Sequence, residues 1–449
     1  MDAVNNTYQQ NHLAVRLRVS VLLKTVLGAI FSFEMSFVLF MFATVFKKDP
    51  RLEWIPMDIT QLLYGLNLVC GLILLAKRWL SIRGRAAMLI VIGGMFCFYA
   101  VSSTLWSLGQ IYAAYKAELM IASVLWTIVV SAAIISSDQK RLKRLFVLLV
   151  AFALWISVES LSQFIAALLR GTILQGIEAL GAVYLTLSRS VSIGMVIVLG
   201  YILYFAKSKH AQWIMGSLFV AFFIVLALLG GRTPLIGLLV AALVPLFLRW
   251  RLPATPEKLL RYYLLIISVV ALLGIGLFVY TQRTGTLPGT LERLFGEGRL
   301  EQSSSLRLEF YSHALSLWVN EGPVFGTGIG SWPILEGEGD IVSYPHNILL
   351  EVAVELGTIG LALLLAYWLF ALFCLGPPAR VRGDPFRVIL LMLFINALIN
   401  ALFSYDLPAN RWLFSVCALM AYGAWVSLRE QHAPLRNEHD KNTELEAVT

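Results

Sequence analysis

Charge is scarce in this chain: of 449 residues only 14% are Asp, Glu, Lys or Arg, against 59% hydrophobic. That balance excludes a water-soluble globular protein and leaves no room for a large soluble domain beside the apolar part. The strand alternation of an outer-membrane barrel is also missing. The backbone must therefore be satisfied by helices, the other structure that crosses a bilayer. Cysteine is rare. Cys70, Cys97, Cys374 and Cys417 lie within or at the end of apolar segments and lack metal-ligand spacing, so they read as small apolar residues and not as disulfide partners. No small-x-small cleavage site closes the first apolar stretch, and the N-terminus is expected to stay as a membrane anchor. A net charge of +8 suggests nucleic acid at first sight, but the basic residues sit in short loops between apolar runs. Orientation and anionic membrane lipid account for them, and no nucleic-acid partner is expected.

What is present is a succession of apolar runs. They predict about twelve spans, at about 25–46, 59–76, 86–102, 119–136, 145–168, 190–206, 213–229, 234–248, 262–280, 346–370, 388–405 and 412–428. Residues 1–429 thus form a single transmembrane domain, and 430–449 a disordered cytoplasmic tail. Glu34 and Glu159 fall inside the first and fifth spans and must face protein or water. Residues 170–189 read as an amphipathic surface link. At Gly230 and Gly231 one helix ends, and Thr233 and Pro234 open the next, which holds Arg232 on a tight turn. The one long polar segment, 281–347, contains Arg293, Arg299 and Arg307, and a loop of that length is usually functional or disordered. With the N-terminus inside, 23 of the 35 Lys and Arg fall in inner segments and 12 in outer ones. That bias puts both termini in the cytoplasm and the long loop outside. No internal repeat and no inverted pair of interrupted helices is visible.

The run from Ser343 to Gly360 joins this loop to a helix. Ser343 is a candidate cap, Pro345 fits a first turn, and His346 is expected in that turn. The positive end of a helix disfavours imidazolium, so a neutral imidazole suited to general-base work is expected there. A plain surface histidine is the alternative. Arg189, Arg232, Arg307 and His346 all reach the outer boundary in this topology. Guanidinium groups there suit a lipid-linked pyrophosphate; headgroup anchoring or snorkelling is the other reading. Glu351 and Glu355, one and two turns further on, are placed to orient His346 or the next helix. Residues 326–330, rich in glycine, imitate part of a nucleotide loop, but no strand-turn-helix unit surrounds them. Glu336, Glu338 and Asp340 read as a solvated acidic turn and not as a calcium loop.

His346-Asn347, nine residues, then Gly357-Thr358-Ile359-Gly360 resembles the His-Asn-(nine residues)-Gly-x-x-Gly signature of bacterial O-antigen ligases, membrane glycosyltransferases of the lipopolysaccharide pathway. Gly231-Arg232 is similar to the family's arginine at an outer helix end, although Thr233-Pro234 departs from the commoner Arg-Gly continuation. Arg307-Leu308 and the stretch 322–330 resemble the family's approach to the histidine motif. The resemblance runs from Arg189 to Gly360, and the first five spans share hydropathy alone. It implies an all-α, GT-C-like polytopic membrane protein with about twelve helices and one long periplasmic loop. It also implies inverting, metal-independent transfer, with no cofactor, of O-antigen polysaccharide from undecaprenyl pyrophosphate to a sugar hydroxyl of lipid A-core. The reaction would take place on the periplasmic face of the bacterial inner membrane. His346 would be the base, and Arg189, Arg232, Arg307 and Asn347 would bind the pyrophosphate. An O-antigen polymerase or a protein O-oligosaccharyltransferase shares this chemistry with another acceptor. A lipid-linked oligosaccharide flippase, from a different class, would need charges along a central cavity on both faces.

Overall fold

Where an apolar run is closed by a capping side chain, a helix of membrane length forms. Asp58 accepts from the N–H of Thr60 at 2.8 Å and opens one such helix; Ser208 accepts from Ala211 at 3.1 Å and opens another. The computed structural model describes residues 27–77, 82, 84–170, 182, 184–249 and 297–427. Its main helices are α1 (Phe33–Met41), α2 (Ile59–Ala76), α3 (Gly84–Ser102), α4 (Ile111–Ile135), α5 (Gln139–Leu169) and α6 (Tyr184–Tyr204). They continue with α7 (Lys209–Leu229), α8 (Arg232–Arg249), α9 (Glu297–Glu321), α10 (Ile348–Leu375), α11 (Pro385–Phe403) and α12 (Arg411–Leu419). The described residues contain no strand.

Among the described residues, eight helices are long and apolar enough to cross a membrane: α2 to α7, α10 and α11. The apolar part of α8, Arg232–Leu248, is shorter. Twelve spans were expected, and specific residues explain the difference. Ser32 takes the N–H of Met35 on its hydroxyl at 3.2 Å, which interrupts the expected span 25–46 and leaves α1 nine residues long. The last expected span breaks after Leu419. The expected ninth, 262–280, lies outside the described residues, as do the tail and most of the link 170–189.

The polar segment 281–347 is not a loop throughout. Its later part carries α9, whose Phe310, Ala314 and Leu317 recur at helical spacing and pack with Trp332, Leu350 and Val354. After α9, the glycine-rich stretch is a wedge. Helix α10 is kinked at Gly357, which has φ 65° and ψ −166°, a conformation that costs an L side chain dearly. The N–H groups freed by the kink, on Thr358 and Ile359, donate to the carbonyls of Pro323 and Val324 at 3.0 and 3.2 Å. The freed carbonyls of Val354 and Glu355 accept from Thr327 and Gly328 at 3.0 and 2.8 Å. A Cβ on Gly357 or Gly326 would collide with the opposing backbone. Half of the histidine motif therefore has a backbone explanation.

The acids inside the spans expected from the sequence, and the buried Lys116, are paired. Glu34 accepts from Arg141 at 2.8 Å and from Arg144 at 2.9 Å, and Glu159 accepts from Arg51 at 2.7 Å. Fully buried Lys116 of α4 holds Glu351 at 2.6 Å and Glu355 at 2.7 Å. Removing one member of such a group strands the others without water.

In the acidic turn, Asp340 accepts from the N–H groups of Gln110 (2.8 Å), Ile111 (2.7 Å) and Tyr112 (2.9 Å) and so caps α4. Those backbone bonds hold its carboxyl below the usual range. The contribution is present at neutral pH and is lost as pH falls through that depressed value. Asp340→Ala should lower stability by about 1–2 kcal/mol, read as a lower Tm in detergent; an unchanged Tm would remove the cap from the account.

Candidate active site

Helix α10 starts four residues later than a cap at Ser343 would place it. Asn347, not Ser343, is the cap: its Oδ1 accepts from the N–H of Leu349 at 3.0 Å and of Leu350 at 3.3 Å. His346 therefore precedes the helix and is not in its first turn. Its φ is 57°, and the only other non-glycine residue with positive φ among the described ones is Tyr405, at 67°. Such conformations cost about 1–3 kcal/mol each and collect at functional sites.

The imidazole of His346 is half-buried and lies edge-on to the Tyr344 ring, with centroids 4.7 Å apart. Its Nδ1 is enclosed and has no hydrogen-bond partner among the described residues. Burial, and then the nearby Arg307 guanidinium, lower its pKa below the ordinary 6.5. The expected neutral imidazole is thus obtained by desolvation and a neighbouring cation, not by a helix end. Because the neutral form accepts a proton, the acid limb of a kcat/KM–pH profile should lie below pH 6.5. In Arg307→Gln the loss of repulsion should move it upward, whatever happens to the plateau. An acid limb at the same pH in both proteins would contradict this coupling.

Arg307, half-buried on α9, stands within electrostatic reach of both His346 and Arg232. Arg232 is the first residue of α8. Gly230 ends α7 with φ 70°, and a Cβ on Gly231 would collide with Ser188 of α6, so the two glycines set this turn against α6. Among the described residues no carboxylate lies within ion-pair distance of Arg232 or Arg307. Two close cations at a helix N-terminus, without a counter-charge among the described residues, have the electrostatics that suit an anion. Asn347 is occupied as the α10 cap and interacts with Tyr311 of α9, so its side chain ties the start of α10 to α9.

Arg189 lies elsewhere, on the other side of Tyr344. Its Nη2 donates to the carbonyls of Asn400 at 2.7 Å and Ser404 at 3.1 Å, its Nη1 donates to Asn410 Oδ1 at 3.2 Å, and its guanidinium stacks 4.1 Å from the Tyr405 ring centroid. Tyr405 in turn bonds Thr186 through its hydroxyl at 2.6 Å. The strained Tyr405 is therefore the floor under Arg189. Both Arg189 and Tyr344 line a cavity of about 470 Å³. Burial, and then Asp406, push the Tyr344 phenol up to about 12, so it is a donor at neutral pH.

Glu351 and Glu355 do not orient His346. Both are tied to Lys116, and Glu351 also accepts from the N–H of Leu407 at 2.9 Å, which fixes the segment carrying Tyr405 to the start of α10. The residues missed in the sequence are Tyr344, Tyr405, Lys116 and Arg411. Tyr344 was visible two positions before His346, whereas the other three are brought in by long-range contacts. Of the acids in the turn, Glu336 pairs with His313 at 2.6 Å and Asp340 caps α4. Among the described residues no three His, Cys, Asp or Glu are grouped to hold a metal ion.

A multi-pass helical membrane protein in which, among the described residues, a neutral histidine has an unclaimed Nδ1 and its neighbouring arginines have no carboxylate partner is equipped to bind an anionic group and to accept a proton from its neighbour. Residues 217–365, a third of the chain, match the family described as O-antigen ligase. His346, Asn347, Gly357, Gly360, Arg232 and Arg307 lie inside the match; Arg189 lies outside it. A Rickettsia conorii (strain ATCC VR-613 / Malish 7) protein named as a candidate polysaccharide ligase is 27% identical over 137 residues, covering 28% of this chain and 31% of its own length. The chain thus matches about a third of that relative.

Proposed function

We propose that this protein is an O-antigen ligase: an inverting, metal-independent glycosyltransferase. It would move a polysaccharide from undecaprenyl pyrophosphate to a sugar hydroxyl of lipid A-core on the periplasmic face of the inner membrane. The observation that carries the reading is the neutral His346, with Nδ1 unclaimed among the described residues, beside Arg307 and Arg232, neither of which has a carboxylate within ion-pair distance among the described residues. The family match supports the transfer class. The bias of Lys and Arg toward the other loops supports the outward orientation.

In this mechanism the imidazole of His346 takes the proton of the acceptor hydroxyl while its oxygen attacks the anomeric carbon of the donor. The bond from that carbon to the pyrophosphate oxygen breaks, and the pyrophosphate leaves with the electron pair. General-base action contributes about 10²–10⁴ in rate. Arg232 and Arg307 hold the charge that develops on the leaving group, a contribution of at least comparable size when the donors are fixed in place. Arg189 would reach the same ligand from the cavity beyond Tyr344. The activated donor supplies the driving force.

The test is transfer by purified protein supplied with lipid-linked glycan and lipid A-core, with and without excess EDTA. Equal transfer in both is expected. Absence of transfer would overturn the reading, and loss restored by Mg²⁺ or Mn²⁺ would move charge stabilisation from the arginines to an ion.

A further inference from the structure

We infer that the cavity beyond Tyr344 is a second anion subsite, built by Arg411 together with Arg189, for a phosphate-bearing sugar ligand; this rests on the transferase reading above. At about 470 Å³ the cavity falls within the size range of small-ligand pockets, roughly 300–1,000 Å³. Its wall includes Arg189, Arg411, Tyr344, Asn396 and Asn400, and Thr44 stands exposed at its edge.

Both guanidinium groups are held by neutral partners. Arg411 donates from Nε to the Met41 carbonyl at 3.1 Å and from Nη2 to the Met41 and Phe40 carbonyls at 2.7 and 3.3 Å. Its Nη1 donates to Ser123 Oγ at 3.1 Å. Arg189 has the carbonyls and the Asn410 amide already described. Among the described residues neither is in an ion pair. Two other charged groups stand on the wall, and of these Asp406 is hydrogen-bonded by neutral donors and is in no ion pair among the described residues. Lys47 pairs with Asp58 at 3.3 Å, and Asp406 accepts from the Tyr112 hydroxyl at 3.0 Å and the Ala409 N–H at 3.1 Å.

The two arginines share one frame, because Asn410, which accepts from Arg189, directly precedes Arg411. Arg411 also opens α12, so the positive end of that helix adds to the field. A purely structural clamp between α12 and the end of α1 needs one arginine on backbone carbonyls. It does not account for two buried guanidinium groups, neither of them in an ion pair among the described residues, on the wall of one cavity. Each guanidinium keeps an Nη1 hydrogen outside these bonds, and a phosphate oxygen is its natural acceptor. The amides and hydroxyls around them suit sugar hydroxyl groups. The phosphate itself can come from the pyrophosphate of the donor or from a phosphorylated sugar of the acceptor.

The experiment measures binding of two probes, inorganic pyrophosphate and glucose 6-phosphate, to the full chain in nanodiscs, as parent, Arg411→Gln and Thr44→Glu. Both variants should bind at least one probe about tenfold more weakly. Loss for pyrophosphate alone points to the donor, and loss for the sugar phosphate to the acceptor. Thr44→Glu adds a negative charge at an exposed position without touching the Arg411 bonds, so its result holds even if Arg411→Gln does not fold. Unchanged affinity for both probes in a folded Thr44→Glu protein would overturn the subsite. Transfer activity is read in parallel. Probe binding without transfer would defeat the ligase reading alone, and transfer by a chain that binds neither probe would defeat the subsite alone.

Discussion

His346→Ala should lower turnover by about 10²-fold or more and leave affinity for the lipid-linked donor nearly unchanged. The reasoning starts from position: the imidazole precedes α10, its Nδ1 is unclaimed, and burial with Arg307 keeps it neutral. A base acts chiefly on the proton in flight, so its loss appears in the transition state and not in the bound donor. The protein should still fold, because Asn347 caps α10 independently. Loss of donor binding in folded His346→Ala would assign the residue to binding.

Arg232→Ala should behave differently, weakening donor binding as well as turnover. Its guanidinium opens α8 beside Arg307, and among the described residues no carboxylate offsets either, so removing it halves the local cation pair. Arg232→Lys should recover part of the loss, since an ammonium keeps the charge without the planar fork. Full recovery by lysine would show that charge alone suffices, and normal donor binding in Arg232→Ala would remove it from the phosphate site.

Much of this arrangement can be read along the chain, and the remainder depends on contacts that hydropathy does not record. The expected span 59–76 coincides with α2, because an unbroken apolar run begins after the Asp58 cap and ends at Lys77. The start of α4 was placed eight residues late, at 119 instead of Ile111. Lys116 looks like a loop charge until Glu351 and Glu355 are seen to neutralise it. Helix α9 escaped notice because its apolar stripe of Phe310, Ala314 and Leu317 is narrow on an otherwise polar helix. At the site, the motif pointed to His346, and charge against the topological trend pointed to Arg232 and Arg307. The capping role of Asn347 and the kink at Gly357 were hidden, since both are backbone geometries. Arg411 and Tyr405 stayed invisible for another reason: their meaning comes from Arg189, more than two hundred positions earlier, which stacks on Tyr405 and bonds Asn410, the residue before Arg411.

The central claim is a single displacement with His346 as base and no nucleophile supplied by the protein. It is tested most directly by the anomeric configuration of the new glycosidic bond. With a lipid-linked donor of defined α-configuration, NMR of the purified product should show a β-linkage to the acceptor. An α-linkage would mean retention of configuration, which a single in-line displacement cannot give, and would contradict the mechanism.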